Sequence, residues 1–309
     1  MRPWLRTGAW SAAAGWLVLV LFAHPWFAVQ RPVGAPVLVV EGWMHRAGLE
    51  QAARLFHEGG YTHLFVTGGR RPFAYYLKRG EGVEVGAEAA FTGDVDLRID
   101  GLPGSRWALV AGTDTLLTGV VGTGADDRHL RLERPVSALR VVDRSTGSSG
   151  ADVPLLFVGR LAIDGTDAHA PPRRTRLLMA DGTVRPGRPT RAEEAMDRLA
   201  EHGVPADRMT AVPNMATTDR TFSSAATFAA HARAHGITAY DVATLGVHAR
   251  RTHRAHLRAL GVPGSVGVIA LPDPWCGRWT WWTNHYGWYQ VLKELAASVR
   301  DLSFRHERP

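Results

Sequence analysis

The chain has 309 residues, of which 45% are hydrophobic and 21% charged, so it can form one large or two small folded domains. Its single cysteine, Cys276, excludes an internal disulfide, a zinc knuckle and a CxxC redox pair. The formal net charge of +7 favours anionic partners such as phosphates, acidic lipid or nucleic acid.

An apolar segment opens the chain. Residues 8–29 contain no Asp, Glu, Lys or Arg, and about 20 apolar residues suffice to cross a bilayer as a helix. Arg2 and Arg6 precede this segment and only Arg31 closely follows it, which places the N-terminus in the cytoplasm and the main domains on the exported side. A cleaved signal peptide and a buried core helix are the alternatives. The sequence therefore predicts a membrane anchor over 1–30 and a single-pass protein of the cytoplasmic membrane.

Alternating strand and helix patterns follow this segment. A β-branched run ends at Glu41, a helical pattern follows it, and a second strand, His63–Thr67, ends in Gly68-Gly69. The alternation resumes at Thr190 and predicts three more strands: Met209–Val212, Asp241–Leu245 and Val266–Ala270. Short strand–helix–strand links are typical of a parallel sheet. The sequence predicts a Rossmann-like, doubly wound parallel sheet of about five strands.

The position of a ligand site follows from this fold class. Ligands of open α/β sheets bind beyond the carboxyl ends of the strands, so we expect the site in the loops that begin at Glu41, Gly68, Val212, Gly246 and Leu271. We expect the last helix to pack on the sheet through an apolar stripe of Trp288, Val291, Leu292, Leu295, Val299 and Leu302.

Between Tyr75 and Arg188 the pattern changes. Long helical periodicity is absent, and short alternating stretches are separated by Gly, Asp and Thr, which is typical of all-β folds. A loop of this length without structure of its own is uncommon inside a compact domain. We therefore predict an inserted all-β sandwich over 75–188, which divides the α/β domain into 31–74 and 189–309.

Four short stretches of the divided domain carry a family pattern: VLVVEGWM at 37–44, FVTGG at 65–69, RTFSSAATF at 220–228 and ATLGVHARRTHRAHLRALG at 243–261. They resemble the YdcF/SanA/ElyC family of bacterial envelope proteins. Members of this family typically carry one or two membrane helices and a Rossmann-like α/β domain. The resemblance implies a role in envelope integrity or with lipid-linked cell-wall precursors, and one member is reported to bind S-adenosylmethionine.

The resemblance also implies site residues at the strand ends. The matched positions fall at the end of the family's first strand, in its double-glycine turn, in its Asn-Thr-x-x-Asn segment and in its His-x-x-Arg pattern: Glu41, Gly42, Gly68, Gly69, Thr221, His248 and Arg251. For Thr221, helix capping is the alternative role. This sequence departs from the family at Arg191, where the family usually has a glutamate, and at Ser224, where it has an asparagine.

A basic segment lies at the start of a predicted helix. His248, Arg250 and Arg251 follow Gly246, where free N–H groups and the helix dipole favour an anion. Arginine adds a planar pair of donors for phosphate or carboxylate. A solvated basic face is the alternative. We expect His248 and Arg251 to clamp an anion and Glu41 to act as a general base, to orient a ligand group or to cap a neighbouring helix.

The insertion carries a second resemblance. AAFTGDVDLRIDG at 89–101 and VVDRSTGSSGADVPLLFVGRLAIDG at 141–165 are similar to calcium-dependent xylan-binding modules. This resemblance implies that Asp143 and Asp152 hold a calcium ion that sugar hydroxyls complete, and that a polysaccharide is a partner.

These expectations give three hypotheses about function. The first is a membrane-anchored envelope protein that binds a phosphorylated or other anionic metabolite, such as a lipid-linked cell-wall precursor, and carries a glycan-binding insertion. The second is a transferase or phosphoester hydrolase with an S-adenosylmethionine-like or nucleotide-like ligand and with Glu41 or His248 as the catalytic base. The third is a non-enzymatic glycan-binding scaffold. Nucleic acid is not an expected partner, because export would separate the protein from it.

Overall fold

The computed structural model describes residues 3–146, 153–216 and 219–303. The described helices are α1 (Pro3–Phe27), α2 (Arg46–Glu58), α3 (Arg191–Glu201), α4 (Arg220–Ala234), α5 (Ala249–Leu260) and α6 (His285–Ser303). The described strands are β1 (Val37–Glu41), β2 (His63–Gly69), β3 (Tyr75–Leu77), β4 (Gly82–Gly101), β5 (Arg106–Ala111), β6 (Asp114–Val120), β7 (Asp126–Asp143), β8 (Leu156–Ile163), β9 (Thr166–Asp167), β10 (Arg174–Leu178), β11 (Val184–Pro186), β12 (Met209–Asn214), β13 (Tyr240–Leu245) and β14 (Val266–Leu271).

The chain divides into two compact units. Arg70–Pro189 forms one of them, the insertion unit. The residues up to Gly69 and from Thr190 onward form the other, the α/β unit.

The α/β unit is built on a five-stranded parallel sheet with the order β12-β2-β1-β13-β14. The chain runs from β1 outward to β2 and β12, and then returns to the other side of β1 to form β13 and β14. The strand order therefore reverses between β1 and β13, which is the point at which open α/β sheets bind ligands. We call the edge where the five strands end the carboxyl edge.

Helices cover both faces of this sheet because its strands are apolar on both sides. On one face Leu38 and Val40 of β1 belong to a buried cluster with Leu49 of α2 and Leu199 of α3. On the other face, residues such as Val39 pack in a cluster that includes side chains of α4 and α5. Successive side chains of a strand point to opposite faces of the sheet, so alternate residues of a strand contact different helices.

Helix α1 packs on the α/β unit. Its buried residues Val20 and Phe27 share a cluster with Cys276 and Trp281, and Nε2 of His24 lies 2.9 Å from the carbonyl oxygen of Cys276. No helix of the described residues is long and apolar enough to cross a membrane. The predicted anchor and the predicted single-pass localisation in the cytoplasmic membrane are therefore wrong. The segment lacks charged residues, but it is not apolar enough to form a membrane-spanning helix. Some of its side chains instead pack against the α/β unit.

The insertion unit is a single nine-stranded antiparallel sheet in the described part of the chain, with the order β11-β10-β4-β7-β5-β6 and with β8 pairing β3, β4 and β9. Strand β4 pairs with β10 along Gly82–Gly86 and with β8 along Val95–Gly101. Irregular pairing with β7 between Gly86 and Gly93 separates these two halves. The predicted sandwich is wrong, because the long strands β4 and β7 run through both halves and join them in one sheet.

The predicted fold class is corrected as a whole. The described chain combines a five-stranded parallel sheet with a separate nine-stranded antiparallel sheet and six helices, and it contains no helix able to span a membrane. Alternation of apolar residues reveals strands, but it does not reveal which strands pair.

Candidate functional site

Glu41 ends β1 at the point of strand-order reversal. Its carboxyl group is buried, with the residue 3% exposed, and Oε2 accepts hydrogen bonds from the hydroxyls of Thr244 and Thr252, the latter at 3.2 Å. Both threonines are fully buried, so the carboxyl group is fixed from two sides. Glu41 lies two residues after Val39 on the same strand, so both side chains lie on the sheet face covered by α4 and α5.

Thr67 is the register partner of Glu41 on β2. The residue is 1% exposed, and its Oγ1 has no hydrogen-bond partner in the described part of the chain. A buried hydroxyl without a partner costs about 1–3 kcal/mol. The carboxyl edge therefore presents an available hydroxyl directly beside a buried carboxyl group.

A chain of charged and polar groups surrounds His248, which follows β13. Nδ1 of His248 lies 2.8 Å from Oε1 of Glu294, and Nε2 lies 3.0 Å from Nζ of Lys293. Arg251 donates to both carboxylate oxygens of Glu294, at 2.9 and 3.1 Å. The edge of the Trp43 ring packs against the imidazole with the ring centroids 4.6 Å apart. We call Lys293, His248, Glu294 and Arg251 the Lys293 cluster.

Charged groups contact both ring nitrogens of His248. The carboxylate of Glu294, which only accepts, and the guanidinium of Arg251, which only donates, lie 2.8 and 2.9 Å from Nδ1. The ammonium group of Lys293 lies 3.0 Å from Nε2. The imidazole is therefore held in place from both sides of the ring.

The pKa values of Lys293 and Glu294 are both lowered. Burial lowers the pKa of Lys293, the charge of Glu294 opposes this, and the charges of Arg251 and Arg220 lower it further. Burial alone would raise the pKa of Glu294, but hydrogen bonds and charge from His248 and Arg251 outweigh burial and lower it. Glu294 is thus ionised at neutral pH, and Lys293 is the most exposed member of the cluster, with its side chain 33% exposed.

The sequence pattern does not predict Lys293 and Glu294 as site residues. Leu292, Leu295 and Val299 of the predicted apolar stripe are 51%, 47% and 60% exposed. Glu294, in contrast, is 1% exposed. The predicted stripe is therefore wrong in register. A useful signal was present, because Glu294 lies four residues after Gln290 and three after the buried Val291, on one helical face.

The predicted glycines lie at the carboxyl edge and contact α3. A Cβ atom on Gly42 would lie 2.5 Å from the carbonyl oxygen of Arg191, and one on Gly68 would lie 2.6 Å from the backbone nitrogen of Ala192. Both positions therefore exclude side chains so that the start of α3 can approach the sheet. Gly69 has more room, with its nearest neighbour, the carbonyl oxygen of Asn214, 3.7 Å from a built Cβ.

Arg250, Arg251 and Thr221 are not gathered around one point. Arg250 donates to the carbonyl oxygen of Trp26 at 2.5 Å, and its guanidinium lies 4.2 Å from the Trp26 ring centroid, so it fastens α1. Arg251 is committed to Glu294. Thr221 is the second residue of α4 and is half-buried. Their roles as ligand-binding residues stay predictions.

Asp143 has a structural environment in the insertion unit. It is buried, and its two carboxylate oxygens accept from the backbone nitrogen of Gly80 at 3.0 Å and from the hydroxyl of Ser145 at 2.6 Å. Asp152, the other predicted calcium ligand, lies outside the described residues. The residues that are described contain no group of three or more His, Cys, Asp or Glu side chains that could hold a metal ion. The calcium pair stays a prediction.

Comparisons with known proteins do not extend this description. No family model matches the chain, and no curated protein matches it. Solved structures similar to it include an active-site mutant of a family two carbohydrate esterase from Clostridium thermocellum, with 9% identity, 75% of this chain and 98% of that chain covered, and a TM-score of 0.23. Another is a family two carbohydrate esterase from the same organism in complex with cellohexaose, with 9% identity, 74% and 94% coverage and a TM-score of 0.23. A similarity at this level carries no argument about fold or function.

Proposed function

We propose that the α/β unit binds a small anionic metabolite, such as a phosphorylated compound, at the carboxyl edge between β1 and β13. The observation that carries this proposal is the Lys293 cluster, which holds one partly exposed ammonium group beside the point of strand-order reversal. The proposal agrees with the resemblance to the YdcF/SanA/ElyC family, which matches Glu41 and His248.

Lys293 is the cation best able to meet the ligand. Of its three N–H groups, one donates to His248 at 3.0 Å and one to Oε1 of Gln290 at 2.6 Å, which leaves one for a ligand. Arg251 is less suitable, since Glu294 neutralises it from two oxygens. His248 and Arg251 then position Lys293 and Glu294 instead of clamping the anion themselves.

The start of α4 adds to the favourable potential. Arg220 is the first residue of α4, and its charge is close enough to lower the pKa of Lys293. A helix N-terminus favours an anion through its free N–H groups and its dipole. The Thr67 hydroxyl and the Glu41 carboxyl group supply an uncharged donor and an acceptor on the same face for hydroxyl or amine groups of the ligand.

Titration with inorganic phosphate and with pyrophosphate, followed by calorimetry of the full chain, tests this proposal. Lys293→Met removes the charge and keeps the length of the side chain, so we expect affinity to fall about tenfold, the effect of losing one charge-assisted hydrogen bond. Arg258→Met is the matched control, because Arg258 is an exposed residue of α5. Equal affinities in the Lys293→Met variant and the unmodified protein would refute the site.

Phosphoester hydrolysis or group transfer is a second candidate function, favoured by the protonation of the cluster. An ammonium group of lowered pKa that contacts an imidazole, itself bound to a carboxylate, can give up or accept a proton. Turnover of 4-nitrophenyl phosphate that is lost in Lys293→Met but retained in Arg258→Met would support an enzyme. Binding without turnover would leave the protein as a binding module.

Polysaccharide binding by the insertion unit also has one supporting feature. Tyr76 is 68% exposed, and its ring stacks on that of Phe157 with centroids 4.6 Å apart, so a flat aromatic surface faces solvent. Electrophoresis through gels that contain xylan would show retardation that Tyr76→Ala removes. Addition of a chelator to the same gels tests the predicted calcium pair separately.

A further inference from the structure

A second basic site lies at the carboxyl edge, on the other face of the sheet. A cleft of ≈ 390 Å³ is lined by the loop after β1 and by the first turns of α2 and α3. Its apolar lining residues Met44 and Leu49 belong to the buried cluster on the α2 and α3 face, whereas Glu41 points to the opposite face. We call this cavity the arginine cleft.

Three arginines, Arg46, Arg191 and Arg198, and one acidic residue, Glu194, are among the residues that line the arginine cleft. Arg191 donates to Glu194 at 2.9 Å, and Arg198 lies 3.9 Å from Glu201. Arg46 makes no ion pair with any described residue. The cleft therefore keeps an excess of positive charge, and guanidinium groups bind phosphate oxygens in pairs.

His45 adds an uncharged donor to the wall of this cleft. Its Nδ1 accepts from the backbone nitrogen of Gly48 at 3.2 Å and caps α2, so in the neutral ring Nε2 carries the proton. That Nε2 atom is buried and has no hydrogen-bond partner in the described structure, and the nearest carboxylate oxygen, on Asp273, is 4.0 Å away. His45 lines the same cleft as the three arginines, so an acceptor-rich ligand bound there could give this unpaired donor a partner.

The backbone brings two helix N-termini to the same cleft. The first turn of α2 carries no acidic residue. Gly42 lets the start of α3 approach the loop after β1, since a Cβ there would meet the carbonyl oxygen of Arg191 at 2.5 Å. Arg191 is also a position at which the sequence departs from the YdcF/SanA/ElyC pattern, where a glutamate is usual. The replacement adds a positive charge to the first turn of α3, which also contains Glu193 and Glu194.

We propose that the arginine cleft is a second anion site, which takes a compact, multiply charged phosphate group such as pyrophosphate or a phosphate monoester. Arg46, Arg191 and Arg198 supply the charge, and the Nε2 donor of His45 supplies a hydrogen bond. This proposal does not rest on the proposed function, because the Lys293 cluster contains none of these residues.

Calorimetric titration with pyrophosphate tests the proposal in a background that removes the other site. In the full chain with Lys293→Met, we expect one binding event that weakens about tenfold or more when Arg46→Gln and Arg198→Gln are added. Arg54→Gln is the matched control, because Arg54 lies on α2, is 61% exposed and pairs with Glu50 within the helix. All three substituted positions are at the surface, and thermal unfolding of each variant confirms that it is folded.

The outcomes separate the two sites. Pyrophosphate binding that persists in the Lys293→Met background, and is lost there when Arg46→Gln and Arg198→Gln are added but not when Arg54→Gln is added, supports the arginine cleft. Unchanged affinity in the double variant, or no pyrophosphate binding at all in the Lys293→Met background, overturns it. In either of those cases the phosphate titration of the otherwise unmodified chain still decides the proposed function independently.

Discussion

Consecutive residues of α6 hold both nitrogens of one imidazole: Lys293 lies 3.0 Å from Nε2 of His248, and Glu294 lies 2.8 Å from Nδ1. Neighbours in a helix usually point about 100° apart, so this requires the histidine ring to lie against the helix and reach both side chains. The ring orientation and the position of the ammonium group are therefore set together. A change at any one of these residues alters the other two.

Glu294→Gln should destabilise the protein by about 3 kcal/mol, because it removes the buried counter-ion of Arg251, whose side chain is only 21% exposed. Urea unfolding measures this. Glu201→Gln is the control, since Glu201 is an exposed partner of Arg198 at 3.9 Å and such pairs contribute about 0–1 kcal/mol. Equal effects of the two substitutions would show that the cluster is not a buried ion pair.

The Cys276 thiol should be inert in the folded protein. Burial raises its pKa to about 12, with a smaller contribution from the charge of Asp273, so almost no thiolate is present at pH 8. A disulfide reagent such as dithiobis(nitrobenzoate) should react with the native protein only at the rate of unfolding, and at once in denaturant. Rapid reaction under native conditions would contradict the buried position of Cys276.

Acid should destabilise the protein through two buried histidines. Burial lowers the pKa of His169 to about 4 and that of His256 to about 3, both below the ordinary value of 6.5. Below pH 6.5 the unfolded chain therefore binds more protons at these two positions than the folded chain. The stability that the two histidines contribute is complete above pH 6.5. It is lost as the pH falls toward 4, by up to about 1.4 kcal/mol per pH unit for each histidine.

Urea unfolding at pH 7.5 and at pH 5 checks this pH dependence. His256→Gln removes one titrating group, so its stability should fall less between the two pH values than that of the unmodified protein. His57→Gln is the control, because His57 is exposed on α2. An identical fall in the His256→Gln variant and the control would exclude His256 as a source of the acid sensitivity.

Gly68→Ala should destabilise the α/β unit by about 1–3 kcal/mol, because the new methyl group would lie 2.6 Å from the backbone nitrogen of Ala192 and would push α3 from the sheet. Gly124→Ala is the comparison, since a Cβ there has no neighbour within 4 Å. Thermal unfolding of both variants measures the difference. A neutral Gly68→Ala would mean that α3 is not held in this close contact.

The sequence predicts where the strands of the parallel sheet end, but not which face of α6 is buried. A β-branched run that stops at Glu41 and another that stops at Leu245 indicate where side chains meet at the carboxyl edge, because parallel strands end at one edge. The face of α6 was misplaced, because Leu292 and Leu295 share a helical period with Val291 without sharing its burial. Periodicity gives the spacing of a stripe and not the direction that the stripe faces.

The sequence also does not predict which residues that are far apart along the chain come into contact. Glu294 and His248 come together through the packing of α6 near the turn after β13, and no spacing rule connects them. Likewise, Arg46 and Arg198 line the same cleft, although the whole insertion unit separates them along the chain. The prediction for the α1 segment fails because the absence of charged residues does not measure how apolar a helix is.

The insertion unit begins and ends at one place, since the backbone nitrogen of Arg71 donates to the carbonyl oxygen of Pro189 at 3.0 Å. This closure has a consequence for the order of folding. Strands β2 and β12 are neighbours in the parallel sheet, yet the entire insertion separates them along the chain. If the insertion folds first, it shortens the effective loop between these strands to about 20 residues, those of α3 and its flanking turns, and lowers the entropic cost of pairing them by roughly 2 kcal/mol. The inserted sheet thereby acts as a folding clamp for the sheet that surrounds it in sequence.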